Sequence, residues 1–366
     1  MYLEARLIVL TIENSLIARV KMPDPKLPTT NAAPLVSIIM TTYNGQRFLA
    51  SQLDSLLRQS QSDFELIVAD DCSTDATVDL LNAHAAKDQR IRVFVNPSNL
   101  GVSGNLEHAL GRARGEFIAI SDQDDIWEDR KLEVLLQNIG NAAAIYSDSR
   151  LIDECARPLE LTLVQRLGVR KPISGHQAIE LLWKNCVSGH ALLFRRQLLS
   201  SILPFDPCMM FDHQIAFIAA ITDGLVYIDE PLVQHRIHGM NQTNSGLAAG
   251  GSRQRGGGLE ARLEQFRGKR RRYAERLNYC AGKITHLARL HAGVNRHRLR
   301  NRVVAVAAGM DQFDDVWFDF RLFFRLLAYR NEFFYLGSGN ALQYCMRYAK
   351  GAKYYRFSAA SRQRMA

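Results

Sequence analysis

Between residues 35 and 146, short apolar runs alternate with segments of helical periodicity, and this alternation narrows the possible folds more than any other feature. The runs at 35–40, 64–69, 91–95, 117–121 and 143–146 are continuous rather than alternating, the pattern of strands buried on both faces. Between them, Phe48, Gln52, Leu53, Leu56 and Leu57 mark one helix, Val78, Leu80 and Leu81 a second, and Leu106, Ala109 and Leu110 a third. A fourth is expected over about 129–139. Strand–helix alternation with short loops predicts an α/β, doubly wound, mostly parallel sheet. Such sheets bind ligands beyond the carboxyl ends of their strands. Thr41-Thr42-Tyr43, Asp70-Asp71, Asn99 and Asp122-Gln123-Asp124 all fall at such ends.

The last of these loops is chemically unusual. Asp122, Asp124 and Asp125 place three carboxylates in four positions directly after an apolar strand. Crowded like charges repel and lose solvation, a cost that a divalent cation between Asp122 and Asp124 would remove. Carboxylate oxygens suit Mg2+ or Mn2+, and Mg2+ commonly completes its shell with substrate phosphates. The plain alternative is an acidic turn that caps the following helix through Asp125 or Glu128. No G-x-G-x-x-G follows the first strand and no G-x-x-x-x-G-K-[ST] occurs, so a glycine cradle for phosphates is missing. A phosphate-bearing ligand would therefore need a metal at the acid loop.

Composition sets wider bounds. The chain has 366 residues, 47% apolar and 23% charged, and a net charge of +9, as expected of a globular protein with ample core. Six scattered cysteines without a C-x-x-C pair argue against a zinc ribbon or disulfide framework and fit a reducing cytoplasm. No window reaches the roughly 18 apolar residues of a membrane span. Residues 1–33, with Pro23, Pro25 and Pro28, read as a leader of unknown role, and Met22 is an alternative start.

Several ordered motifs resemble the family 2 inverting glycosyltransferases of the GT-A fold. They are Val36-Ser37-Ile38-Ile39-Met40-Thr41-Thr42-Tyr43-Asn44, Val68-Ala69-Asp70-Asp71-Cys72-Ser73-Thr74-Asp75, Asn99-Leu100-Gly101, Arg114-Gly115-Glu116-Phe117-Ile118-Ala119 and Asp122-Gln123-Asp124-Asp125-Ile126-Trp127. The resemblance covers roughly 34–245, and the D-Q-D-D-I-W wording is close to rhamnosyltransferase-like members. It implies a nucleoside-diphosphate sugar donor and a glycan or lipid-linked glycan acceptor. Thr41, Tyr43, Asp71 and Asp122 match nucleotide-binding positions, and Asp122 and Asp124 match the metal-binding D-x-D pair. Asp125 and Trp127 are expected to shape the turn and the sugar pocket. Asp212, in Phe211-Asp212-His213-Gln214 where relatives read H-D-W-W, matches the catalytic base; the alternative is a cap for the next helix. Arg236 and His238 lie in a run that implies diphosphate or metal contacts, with a basic loop at the sheet edge as the alternative. His190, in the polar stretch 183–190, could touch substrate, although a lone histidine is more often structural.

Residues 246–258 are a Gly- and Ser-rich linker. Residues 253–300 carry 14 Lys/Arg against three acids, including Lys269-Arg270-Arg271-Arg272. Aromatic residues then mix with basic ones up to Tyr354-Tyr355. The segment 259–366 is expected to form a helical basic and aromatic extension resting on an anionic membrane surface, peripheral on the inner face of the plasma membrane. The competing readings are packing on the preceding region and a solvated basic face. Nucleic acid is not expected, because no recognition motif accompanies the charge. A non-catalytic glycan- or nucleotide-binding protein on the same fold is the alternative to an enzyme. A nucleotidyltransferase is disfavoured for want of a glycine-rich, lysine-bearing first loop.

Overall fold

A computed structural model describes residues 33–169, 171–176, 178–182, 185–239, 259–289, 295–314, 316–328 and 341–363. Its centre is β1 (Val36–Thr42), which pairs in parallel with β2 (Phe64–Asp70) on one side and β4 (Phe117–Ser121) on the other. Val36 stands opposite both Phe64 and Phe117, so the three apolar runs are in register. Successive strand residues face opposite ways. Ile39, Ile67, Ile118 and Ile120 therefore join one core, and Ile38, Met40, Val68 and Ala119 the other. Helices α1 (Leu49–Leu57), α2 (Thr77–Ala85) and α4 (Lys131–Asn138) cover the second core. Helices α3 (Gly101–Leu110) and α8 (Phe211–Ile221) cover the first.

The strand order is β3-β2-β1-β4-β8-β6-β9-β5, where β3 is Ile91–Val95, β5 Ile126–Trp127, β6 Ala144–Ile152, β8 Leu192–Arg195 and β9 Leu225–Arg236. Chain order runs outward from β1 to β3, then returns to place β4 on the other side. The loops after β1 and β4 thus flank a switch point, where doubly wound sheets open a crevice. The parallel arrangement expected from the sequence holds for β1–β4 and for β6–β9. Strands β8 and β5 join antiparallel. β7 (Pro158–Thr162) extends beside β6 and leads into the one-turn helix α5 (Leu163–Arg166). Short helices α6 (Ala178–Leu181) and α7 (Leu199–Ile202) lie between β7 and α8.

The basic, aromatic region folds as α9 (Leu259–Leu287), α10 (Arg296–Asp311), α11 (Phe320–Ala328), α12 (Ala341–Ala349) and α13 (Ala352–Gln363). Leu277, Cys280, Ala281 and Ile284 of α9 share one core with Ile215 and Ile218 of α8. Lys283 Nζ donates to Ser201 O (2.7 Å), and Arg289 N–H donates to Ile221 O (2.7 Å). Packing on the preceding region thus accounts for α9 and α10. Arg270 corrects the reading of the basic run as a surface feature. It is buried, and its guanidinium donates to Met310 O (2.8 Å), Gly309 O (2.7 Å) and Tyr348 O. It closes helix ends whose last carbonyls lack intrahelical donors. Burial pulls its pKa down to about 10. Arg271 and Arg272 stay exposed. Most of the expected leader and the whole linker, 246–258, lie outside the described residues.

Candidate active site

The loops after β1 and β2 brace one another through side-chain-to-backbone bonds. Asn44 and Cys72 adopt left-handed backbone, with φ of 48° and 65°. Asn44 N–H donates to Ser73 Oγ (2.8 Å), Thr74 N–H to Asn44 Oδ1 (2.8 Å) and Gly45 N–H to Thr77 Oγ1 (2.8 Å). The two adjacent aspartates divide their roles. Asp70 is inward, accepting from Thr42 Oγ1 (2.7 Å) and Ser73 Oγ (2.6 Å). Asp71 faces the cleft and accepts from the N–H groups of Leu100 (2.8 Å) and Gly101 (2.9 Å) and from Asn96 Nδ2 (2.9 Å). It therefore caps α3, not the helix that follows it in sequence. Tyr43 is 49% exposed and offers its ring to the cleft instead of packing in the core.

Across the switch point, Gln123 ties the acid loop to the loop after β1. Its Oε1 accepts from Tyr43 N–H (2.9 Å) and its Nε2 donates to Tyr43 O (3.1 Å). A Cβ on Gly45 would lie 2.2 Å from Gln123 Oε1, so the glycine is what allows this bridge.

The three acids then take different surroundings. Asp125 is fully buried; its Oδ1 accepts from Arg236 N–H (3.0 Å) and faces His235 Nδ1 (2.9 Å). Burial opposes the imidazolium, but the Asp125 carboxylate overrides it and raises the His235 pKa to about 9. Against its burial, His235 and His190 hold Asp125 well below the usual carboxylate range. His190 stacks on His235 with centroids 4.3 Å apart, and its Nδ1 lies 3.5 Å from Asp122 Oδ2. Beneath them Lys131 is wholly buried, its Nζ 3.1 Å from the Trp127 ring centroid and bonded to His190 O (2.5 Å). Desolvation depresses its pKa strongly. Asp124 contacts His238 Nε2 through Oδ2 (2.8 Å). Burial, with the nearby Asp125 and Asp122 charges, raises its pKa despite that contact.

A divalent cation fits this donor set. Carboxylate oxygens of Asp122, Asp124 and Asp125 lie within 4.8 Å of one another. Asp125 Oδ2 is buried with no hydrogen-bond partner among the described residues, His190 Nδ1 lying 3.6 Å away, and Asp124 is crowded by like charge. Hard oxygen donors in that arrangement suit Mg2+ or Mn2+. Because Asp125 Oδ1 serves His235 and Arg236, Asp122 and Asp124 are the carboxylates that face the cleft.

On the far wall, Asp212 stands in the first turn of α8, inside the helix and not at its N-cap, which is Met210. Its Oδ1 accepts from His213 N–H (2.6 Å). Burial, and to a lesser extent the Asp122 charge, push its pKa up to about 7. Gly189 packs against the Phe211 ring, where a Cβ would come within 2.6 Å, and this brings the 188–190 loop onto Asp212. The unusual neighbours of Asp212 are scaffold. His213 is buried, bonds Leu181 O, and burial drops its pKa to about 3. Gln214 Oε1 accepts from Asp206 N–H (2.8 Å).

A single cavity of about 760 Å³ joins these groups, lined by Thr41, Tyr43, Asp71, Asp122, Asp124, Asp212 and His238 among others. Arg236 is the exception among the residues singled out from the sequence. It does not line the cavity; its guanidinium donates to Asp124 O (2.8 Å), Asp153 O (3.3 Å) and Glu154 O (3.1 Å) and lies over the Phe48 ring. It shapes the acid loop from behind. Trp127 likewise is core, 1% exposed on β5. Trp183 and Lys184 lie outside the described residues. Sequence reasoning passed over Gln123, Gly45, Lys131 and the His190–His235 stack. Only Gln123 carried a signal, as the polar residue between two acids.

The family model Glycosyl transferase family 2 matches residues 37–203. A Bacillus subtilis (strain 168) protein named as a teichuronic acid biosynthesis glycosyltransferase, TuaG, is 38% identical over 118 residues, 32% of this chain and 47% of that one. The Escherichia coli UDP-Glc:alpha-D-GlcNAc-diphosphoundecaprenol beta-1,3-glucosyltransferase WfgD is 36% identical over 157 residues, 42% of this chain and 57% of that one. The matches thus span about half the length of these curated relatives. The fold is shared with S. aureus TarS 1–349, solved with UDP-GlcNAc, at a TM-score of 0.53 and 17% identity over 90% of this chain and 91% of that one.

Proposed function

We propose that this chain, which carries a family 2 glycosyltransferase domain of the GT-A fold, transfers a sugar from a nucleoside-diphosphate sugar to a hydroxyl of a glycan or lipid-linked glycan, with inversion at the anomeric carbon. One observation carries the reading: the acid pair Asp122/Asp124 and the carboxylate of Asp212 line the same cavity as Thr41, Tyr43 and Asp71. Tyr43 packs on the base, while Asp71 accepts from a base N–H and holds the turn before α3. Thr41 and Asp122 complete the donor pocket. Asp122 and Asp124 would hold Mg2+ or Mn2+, which supplies positive charge to the departing diphosphate. His238 orients Asp124 through the 2.8 Å contact. Asp212 takes the proton from the acceptor hydroxyl as it attacks opposite the diphosphate. Its pKa near 7 suits a general base at neutral pH.

The reading is tested by offering a panel of sugar nucleotides with Mn2+ and following donor hydrolysis and stabilisation. The D-Q-D-D-I-W wording makes a thymidine-diphosphate rhamnose donor the first to try. Binding of at least one donor that depends on metal and on Asp124 is expected; no binding by folded protein overturns the reading. The product's anomeric configuration, read by NMR, tests inversion.

A peripheral membrane location is supported by one surface. Trp317, Phe320 and Phe324 are 51%, 63% and 61% exposed, and Arg321 and Arg325 border the α11 groove. Apolar rings with flanking cations suit an anionic lipid surface. Among the described residues no helix is long and apolar enough to cross a membrane. Sedimentation with phosphatidylglycerol vesicles, lost in a Trp317→Ala/Phe320→Ala/Phe324→Ala variant, is the expected result. Full-length protein that stays in the supernatant refutes it.

A further inference from the structure

Lys131 is a buried amine without a part in the transfer chemistry described above. It opens α4, soon after the acid loop and β5, and is 0% exposed. Among the described residues its amine makes no ion pair and a single hydrogen bond, to His190 O (2.5 Å). A buried amine loses its hydration, and one backbone carbonyl replaces little of it. An apolar side chain of similar length would fill the space under Trp127 at lower cost. The contact therefore needs another reason, which lies in what the neighbours of His190 O do.

His190 belongs to the single buried 3-10 turn Gly189–Ala191, which leads into β8. Ala191 N–H closes the turn on Ser188 O (3.1 Å). Three of its groups have work elsewhere. Gly189 N–H donates to the Asp212 carboxylate and so opposes the effect of burial on its pKa. The His190 ring holds Nδ1 3.5 Å from Asp122 Oδ2, while its Nε2 lies 3.0 Å from Ser149 Oγ. His190 O receives Lys131. One short turn thus meets the candidate base with its first N–H and a candidate metal ligand with its ring. Three contacts locate that turn: the Phe211 ring against Gly189, Ser149 on the imidazole, and Lys131 on the carbonyl.

We propose that Lys131 is a positioning residue for the transfer: by holding His190 O it fixes the turn that gives Asp212 the Gly189 N–H and faces Asp122 with the His190 imidazole, and so sets the base against the metal-binding acid. Ser149 supports the same turn through the His190 ring. This rests on the transferase reading above and adds two residues, neither of which lines the cavity.

The test compares the full-length natural protein with Lys131→Met, which keeps the stem and loses the donor, and with Ser149→Ala. The Asp212 carboxyl is followed first, by carboxyl-carbon NMR of aspartate-labelled protein across pH, its signal identified by its loss in Asp212→Asn. Its midpoint near 7 should rise by about one pH unit in Lys131→Met, as when a carboxylate loses one backbone donor, and by less in Ser149→Ala. Turnover is then followed as hydrolysis of UDP-glucose, thymidine-diphosphate rhamnose and GDP-mannose with Mn2+. In Lys131→Met, kcat should fall about tenfold or more, and the rising limb of the pH profile should move up with the NMR midpoint. Calorimetric titration of UDP, dTDP and GDP with Mn2+ should give the same affinity for all three proteins. An Asp212 midpoint that stays near 7, or turnover that stays at the natural level, overturns the proposal. So does an equal loss of kcat and of nucleotide affinity, the mark of general loosening. If Lys131→Met does not fold, Ser149→Ala decides by the same two readings. Failure of every nucleotide to bind or hydrolyse would instead strike the transferase reading, while the NMR titration still decides whether Lys131 governs Asp212.

Discussion

Replacing Asp212 by Asn should remove activity and raise stability, a pairing that ordinary structural residues do not show. The carboxyl's ordinary value is 3.8, and burial holds it at about 7 in the folded chain. A raised acid pKa means that folding favours the protonated form. The resulting stabilisation is complete below about pH 4, falls as the unfolded chain ionises, and is gone once pH passes 7. That difference corresponds to about 4 kcal/mol, and contact with cavity water reduces this to roughly 2–4 kcal/mol. Asn keeps the oxygen that accepts from His213 N–H and carries no charge. The variant should therefore gain roughly 2–4 kcal/mol over the natural protein at pH 8, with little or no gain at pH 4. Urea unfolding at several pH values measures this difference. Transfer should fall by about 10²–10⁴ at unchanged donor affinity, as expected for loss of a general base. A variant that turns over normally, or that is less stable than the natural protein at pH 8, would refute the assignment.

Other perturbations test other parts of the account. Transfer by the natural protein should climb with pH to a plateau above about 7 as Asp212 ionises, a limb absent from any residual Asp212→Asn activity; a flat profile would count against it. Gly45→Ala should push Gln123 off the Tyr43 backbone, lower nucleotide affinity and cost about 1–2 kcal/mol; unchanged donor titration would show that the bridge is idle. Arg270→Met should destabilise the protein by about 3 kcal/mol, because three buried carbonyl groups lose their donor; an unaltered urea midpoint would contradict this.

Much of the sheet was legible because parallel strands buried on both faces leave uninterrupted apolar runs, and those runs became β1, β2, β4 and the start of β6. The cleft was legible for the same reason, since strand ends in such a sheet converge. What lay behind the acids was not. Asp124 and Asp125 are neighbours of one residue type, yet one faces the cleft and the other is buried against His235, more than a hundred positions away in sequence. Arg236 looked suited to a phosphate, but its direction is set by the carbonyls of 124, 153 and 154, which only the folded loop assembles. Lys131 falls inside the helix expected over about 129–139, and nothing in that pattern shows its burial, which follows from its place against Trp127. In the tail, helical spacing was visible, whereas the choice between core and surface was not. The same basic run contains the buried Arg270 and the exposed Arg271.

Calorimetric titration of sugar nucleotides, with and without Mn2+, into the natural protein and an Asp122→Asn/Asp124→Asn variant tests the central claim most directly. Metal-dependent uptake of a donor by the natural protein, lost in the folded variant, is the predicted result. Equal uptake by both proteins, or uptake indifferent to the metal, would contradict it.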